Sequence, residues 1–202
     1  MIGLYIKNLE GIWFGVACDE EKIFATTFAS TDKEALHYLL KDIPFNVPFQ
    51  QSEKTSVFAE SAIDLLKRIY DGKGVSQSFY LATESLSNYA RRVIKMVALI
   101  PTGYVASYGS VAKAAGGSPR AVGRVMASNP FPLIVPCHRV VCSDFTLGGY
   151  GGGLDVKFEI LRRENRSYNS EREIPVDGRK LQLFPVEFVL NKLKKSKNSK
   201  YI

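Results

Sequence analysis

The stretch Ser107-Tyr108-Gly109-Ser110-Val111-Ala112-Lys113-Ala114-Ala115-Gly116-Gly117-Ser118-Pro119-Arg120-Ala121-Val122-Gly123-Arg124-Val125-Met126-Ala127-Ser128-Asn129-Pro130 is punctuated as two short helices joined by a tight turn. A helix from about Ser107 runs through Ala115 and is broken by Gly116-Gly117. Ser118 then supplies an N-cap hydroxyl, and Pro119 takes the first helical position, where its missing N–H costs nothing. The second helix is expected from Arg120 to about Ser128. In a helix-turn-helix the second helix enters a groove of the duplex, and this one carries Arg120 at its start and Arg124 one turn later. Helix pairs joined by glycines also occur in proteins that never touch DNA, so the pattern takes its meaning from the residues on its C-terminal side.

Asn129-Pro130-Phe131-Pro132 stops the second helix, and the apolar run Leu133-Ile134-Val135 leads into Pro136-Cys137-His138-Arg139-Val140-Val141. A cysteine attacks as the thiolate, so nearby positive charge or a base is what would make Cys137 a nucleophile. His138 and Arg139 can supply either, and a carboxylate behind the imidazole would orient it. Read as extended chain, the run points successive side chains to opposite sides, so the thiol would reach His138 through a bridging water. The plain alternative, a buried cysteine acting as a small hydrophobe, suits Cys18 and Cys142.

Upstream, Leu86, Tyr89, Val93, Val97 and Ile100 share one helical face, closed by Pro101-Thr102-Gly103. Ile2 to Ile6, Ile12 to Ala17 and Ile23 to Phe28 read as short strands. Thr31 with Glu34 is a capping box opening a helix to about Leu40, and Phe58, Ala62, Leu65, Leu66 and Ile69 mark another that stops at Gly72 and Gly74. The expected fold class is α+β: an α+β domain over residues 1–84, a mostly helical domain over 85–164, and a basic extension over 165–202. In that extension Val186, Val189, Leu190 and Leu193 share a helical face that is expected to pack on the core, with disorder after Lys195.

A chain of 202 residues, 46% hydrophobic, can bury one large core or two small ones. Its net charge of +7 is uneven: residues 1–85 hold 8 Lys and Arg against 12 Asp and Glu, residues 86–164 hold 10 against 4, and residues 165–202 hold 9 against 4. A basic second half fits a polyanionic partner. No run approaches the roughly 20 apolar residues of a membrane span, so a cytoplasmic address is expected, nuclear in a eukaryote. Cys18, Cys137 and Cys142, with His37 and His138, make neither a disulfide framework nor a zinc spacing, and no metal is expected. The Gly148 to Gly153 cluster fits no phosphate-loop string and reads as a pocket wall, where close backbone approach is needed.

Arg120-Ala121-Val122-Gly123, Asn129-Pro130, Ile134 to Val141, Gly148-Gly149-Tyr150-Gly151-Gly152-Gly153-Leu154 and Glu164 together resemble, in order and spacing, the O6-alkylguanine-DNA alkyltransferases. The resemblance covers about Ser107 to Glu164. It implies a small RNase H-like amino-terminal domain before a winged helix-turn-helix-like catalytic domain. It further implies that Cys137 accepts the alkyl group, that His138 is its water-mediated base, that Glu164 orients the histidine, and that Asn129 ties the recognition helix to the active-site turn. Arg120 would fill the space left by the rotated nucleotide, and Tyr108 would press on the flanking phosphate and bond the extruded base. Met126 would pack in the minor groove, and Tyr150 would wall the alkyl pocket. Val140, Gly151 and Arg124 complete the implied base-binding and DNA-binding set.

A protein of this kind would flip O6-alkylguanine, and also O4-alkylthymine, out of double-stranded DNA and act once, because water cannot cleave the thioether it forms. No soluble cofactor is implied, and a monomer is expected. Two features depart from the family pattern: the turn Ser143-Asp144-Phe145-Thr146 is bulkier than usual, and Gly151 stands where some members carry serine. Both are expected at the pocket rim. The alternative is a non-catalytic protein that binds alkyl lesions and flags them, although such proteins lack the acceptor cysteine. A regulator would need an effector domain, and a thiol hydrolase would need a second histidine, for which only His37 is available.

Overall fold

The computed structural model describes residues 2–45, 47–51, 56–75 and 77–198. They form two units, one of Met1–Tyr70, Val75–Ser87 and Pro130–Val135, the other of Asp71–Gly74, Asn88–Asn129 and Pro136–Ile202.

In the first unit β1 (Ile2–Leu9), β2 (Ile12–Cys18) and β3 (Lys22–Ala29) make an antiparallel meander. β4 (Phe49–Gln51) adds parallel to β1 and β5 (Tyr80–Leu81) parallel to β3, giving the order β4-β1-β2-β3-β5. Against the sheet lie α1 (Asp32–Asp42) and α2 (Val57–Tyr70). Thr31 caps α1 by accepting the Glu34 N–H at 3.2 Å, as the capping box requires. Leu39 of α1 joins Ile2, Leu4, Ala17 and Ala25 in one apolar cluster, and α2 buries Ala62, Leu65, Leu66 and Ile69. Pro130–Val135 belongs to this unit because Thr26 donates its N–H to Pro130 O and its hydroxyl to Pro132 O, both at 2.9 Å.

The second unit runs α3 (Asn88–Ala98), β6 (Tyr104–Ser107), α4 (Tyr108–Ala115), α5 (Pro119–Ala127), a 3-10 turn (Cys137–Arg139), β7 (Val140–Val141) and α6 (Leu154–Glu164). The hairpin β8 (Arg172–Val176) and β9 (Arg179–Pro185) comes next, then α7 (Val186–Asn198). Ser107 caps α4 by accepting the Ser110 N–H at 3.0 Å, and Ser118 caps α5 by accepting the Ala121 N–H at 3.3 Å. Gly116 and Gly117 turn the chain between them at φ of 77° and 120°, a region closed to most side chains.

Three expectations change. Leu86 sits in a turn before α3, its N–H bonded to Thr83 O, so the helix begins at Asn88. The second unit adds a sheet to its helices: Tyr104–Ser107 is a strand, central in a four-stranded sheet of order β7-β6-β9-β8. Residues beyond 164 are not a separate extension, because β9 pairs with β6 through Tyr104↔Pro185 and Val105↔Phe184. On α7, Val186, Val189 and Leu190 are buried with Val105, Val141 and Leu161, and Leu193 packs against them. This helix continues past Lys195 to Asn198, and the expected tail beyond it lies outside the described residues. No helix among the described residues is long and apolar enough to cross a membrane.

Candidate active site

Cys137 opens the 3-10 turn rather than an extended run. The Arg139 N–H bonds Pro136 O at 2.8 Å and the Val140 N–H bonds Cys137 O, which folds the three residues back on themselves. The turn buries all three side chains: Cys137 is 8% exposed, Arg139 7% and His138 0%.

Buried charge needs partners, and α6 supplies them from its last residue. Glu164 receives His138 Nε2 on Oε1 at 3.1 Å, Arg139 Nη2 on Oε1 at 2.7 Å and Arg139 Nε on Oε2 at 2.9 Å. Arg139 is held in turn by Ile100 O at 2.5 Å and Thr102 Oγ1 at 3.1 Å. Burial would raise the Glu164 pKa, but the imidazole and the guanidinium outweigh it and hold the carboxyl at about 2. Burial pushes the His138 pKa down, against the attraction of Glu164. We take Glu164 as the anion and His138 as neutral, because Arg139 makes two bonds to the carboxylate whatever the state of the ring. His138 Nδ1 is buried with no hydrogen-bond partner among the described residues.

Burial also raises the Cys137 pKa, and two neighbours work against it: a hydrogen bond with the Asn129 side chain, then the charge of Lys157. Lys157 was not anticipated from the sequence. It is fully buried on α6, with Nζ donating to Val140 O at 2.6 Å and Gly149 O at 3.4 Å. Desolvation lowers its pKa to about 8, against the pull of Cys137 and Cys142. A signal was present: Lys157, Ile160, Leu161 and Glu164 share one helical face, so a lysine occupies a position where the period calls for an apolar residue.

Tyr108, at the start of α4, brings its hydroxyl 3.5 Å from Gly149 O. Gly148 allows that approach; a Cβ there would stand 3.0 Å from the Tyr108 ring and 3.2 Å from Cys142 Sγ. The Tyr150 ring centre lies 5.8 Å from Lys157 Nζ. Tyr108, Asn129, Cys137, His138, Val140, Tyr150, Lys157 and Glu164 thus form one connected group, Val140 through its carbonyl. Arg120 and Arg124 stand exposed on α5, with Met126 half-buried beside them, and Gly151 is exposed in its loop; among the described residues none of the four joins the bonds that link His138, Arg139 and Glu164. The bulky turn is not a pocket rim at Phe145, whose ring packs edge-on against Phe184 and Phe188 with centroids 5.1 and 5.3 Å away. Cys142 is only half-buried, so the small-hydrophobe reading fits it less well than Cys18.

A family model described as 6-O-methylguanine DNA methyltransferase, DNA binding domain, matches residues 88–166. A methylated-DNA–protein-cysteine methyltransferase of Methanothermobacter thermautotrophicus is 45% identical over 85 residues, 42% of this chain, so the match spans about half (48%) of that relative. The protein of the same name from Methanocaldococcus jannaschii is 33% identical over 159 residues, covering 79% of this chain and 92% of the relative. The crystal structure of O6-methylguanine-DNA methyltransferase from Pyrococcus kodakaraensis matches with a TM-score of 0.61 at 27% identity, over 81% of this chain and 99% of that one. On the length and identity of these matches, the chain belongs to the methylated-DNA–protein-cysteine methyltransferase family.

Proposed function

We propose that this chain repairs DNA by direct reversal, taking the alkyl group of an O6-alkylguanine, or of an O4-alkylthymine, onto Cys137 Sγ once per molecule. The observation that carries the reading is a buried thiol bonded to Asn129 beside an imidazole whose Nε2 is anchored on an ionised Glu164. With Nε2–H donating to the carboxylate, Nδ1 is left to accept the thiol proton, passed through one water. The thiolate attacks the alkyl carbon as the carbon–O6 bond breaks. The electron pair leaves on the purine oxygen, and the proton the thiol gave up, carried by His138 and the water, ends on N1 of the restored guanine. Lys157 stabilises the thiolate before the displacement, which consumes the negative charge on sulfur. The thioether offers water no leaving group, so the protein acts once.

The lesion is stacked inside the duplex, and extruding it costs a few kcal/mol. Arg120 fills the gap, Tyr108 bonds the extruded base, Met126 packs in the minor groove, and Tyr150 and Gly151 line the alkyl pocket. Arg124 contacts a phosphate. In this reading α4 and α5 act as a winged helix-turn-helix. The first unit is RNase H-like, which the meander β1-β2-β3 with β4 parallel to β1 supports. The protein works as a monomer, and its three free thiols fit a reducing cytoplasm.

Intact mass after incubation with a duplex carrying one O6-methylguanine tests the proposal. A gain of one methylene in the parent and none in Cys137→Ser, with guanine restored in the DNA, is the expected result. Tight lesion binding without mass gain would move the chain to the proteins that flag damage.

A further inference from the structure

Away from the thiol, a cavity of about 390 Å³ lies where α3, the end of α4 and the β8–β9 turn meet. Its walls carry Arg92 and Lys95 of α3, Gly116 at the end of α4, and Asp177 and Arg179 of the hairpin. Two of the three cations are fixed: Arg92 Nε donates to Ala115 O at 3.2 Å and Arg179 Nη1 to Ala114 O at 3.5 Å. These bonds satisfy the last carbonyls of α4 and offset the partial negative charge at that helix end. A guanidinium has five N–H donors in a planar fork, so each arginine keeps donors for a second acceptor, and a phosphate matches that fork. The one carboxylate, Asp177, is offset by Lys95 Nζ at 3.5 Å.

The backbone is shaped to this cluster. A Cβ on Gly116 would stand 2.9 Å from Arg179 Nη1, and one on Gly117 would stand 2.6 Å from the Tyr89 hydroxyl. That hydroxyl is buried with no hydrogen-bond partner among the described residues, an unmet donor beside the same turn. Gly116 is four residues before Arg120, a span of at most about 14 Å, so the cleft adjoins the start of α5.

We infer that this cleft is a second phosphate site, in which Arg179, Arg92 and Lys95 hold a backbone phosphate of the duplex that α5 engages. The hairpin β8–β9 thereby extends the DNA interface beyond the family's matched segment, residues 88–166. The inference rests on the reading that the chain acts on DNA. Each phosphate neutralised releases counterions and adds about 0.9 to the slope of log affinity against log salt.

The test is the salt dependence of duplex binding by the full chain. Arg179→Gln is expected to flatten the slope by about 1, while Arg179→Lys keeps it. Lys180→Gln removes the same charge from the same hairpin, at a residue bonded to Glu173 at 2.6 Å, and should leave the slope unchanged. An unchanged slope in Arg179→Gln overturns the inference, and so does an equal fall in Lys180→Gln, which would make the effect one of net charge. Inorganic phosphate that binds the parent but not Arg179→Gln, with the DNA slope unaltered, assigns the cleft to a free anion and also overturns it. Should Arg179→Gln melt early, Lys95→Gln reads the same slope. Mass gain of the parent on free O6-benzylguanine, which needs no duplex, tests the alkyl-transfer reading separately. Transfer with an unchanged variant slope fails the cleft alone.

Discussion

Two groups of cations in the second unit use the same side chains to different ends. Arg139 and Lys157 are buried, one bonded to Glu164, Ile100 and Thr102, the other to two carbonyls. Arg92, Arg120, Arg124 and Arg179 stand exposed. A buried charge is costly unless it is paired, so the first group is locked, and the field of Lys157 falls on the thiol beside it. An exposed charge costs little to hold and contributes little to folding; its effect appears when a polyanion sheds counterions. Damage to the first group should therefore register in stability and transfer rate, and damage to the second in salt dependence.

The harshest way to break this contrast is Glu164→Gln, which strands Arg139 in the interior. A loss of about 3–5 kcal/mol in denaturant unfolding is expected; a loss within the range of a surface change would show that Arg139 finds water and is not locked. The same carboxylate gives a pH signature. Its folded pKa of about 2 lies below the ordinary carboxylate value, so its stabilisation is complete above about pH 4.3 and is lost as pH falls toward 2. Glu164→Gln should remove that acid limb.

Lys157 sharpens the comparison in a second, alkaline window, where the slope has the same sign. Its folded pKa of about 8 lies below the unfolded value near 10.5, so the unfolded chain binds the extra proton in between and stability rises with pH across that window. The gain is at most about 3 kcal/mol, and Lys157→Met should abolish it. The variant should also slow transfer from free O6-benzylguanine at neutral pH by about tenfold, equivalent to ~1.4 kcal/mol. A flat pH profile in the parent would remove Lys157 from the account. Arg124→Gln gives the smallest effect on folding, within about 0.5 kcal/mol, while the salt slope for duplex binding falls by about 1. A melting shift as large as that of Glu164→Gln would erase the distinction.

What could be read ahead of the structure was whatever a few adjacent residues decide. Thr31 and Ser118 cap their helices, and Gly116-Gly117 turns the chain where expected, because each effect spans one helical turn. Cys137, His138 and Glu164 were legible as a set only through the resemblance, since Glu164 comes from a separate helix. Arg139 reads in the sequence as a charge for the thiol, and in the fold it anchors Glu164 instead. Long-range pairing was illegible. β6 has four residues, all buried, and so shows no alternation to detect. Pro175 disguised β8, although an edge strand tolerates proline, and Asp177-Gly178, at φ of 48° and 75°, is a hairpin signal that could have been used. Phe145 looked like an obstruction at the pocket because its partners Phe184 and Phe188 are distant in sequence.

The position of β9 between β6 and β8 also has a consequence in time. Translation at 5–20 residues per second delivers β9 about 75 residues after β6, a delay of roughly 4–15 s. Through that interval Tyr104 and Val105 lack their ladder partners, although the nascent chain already contains Cys137. The thiol is thus synthesised before β6 gains the neighbour that completes its sheet, and a chaperone that shields β6 on the ribosome would act while Cys137 is already part of the chain.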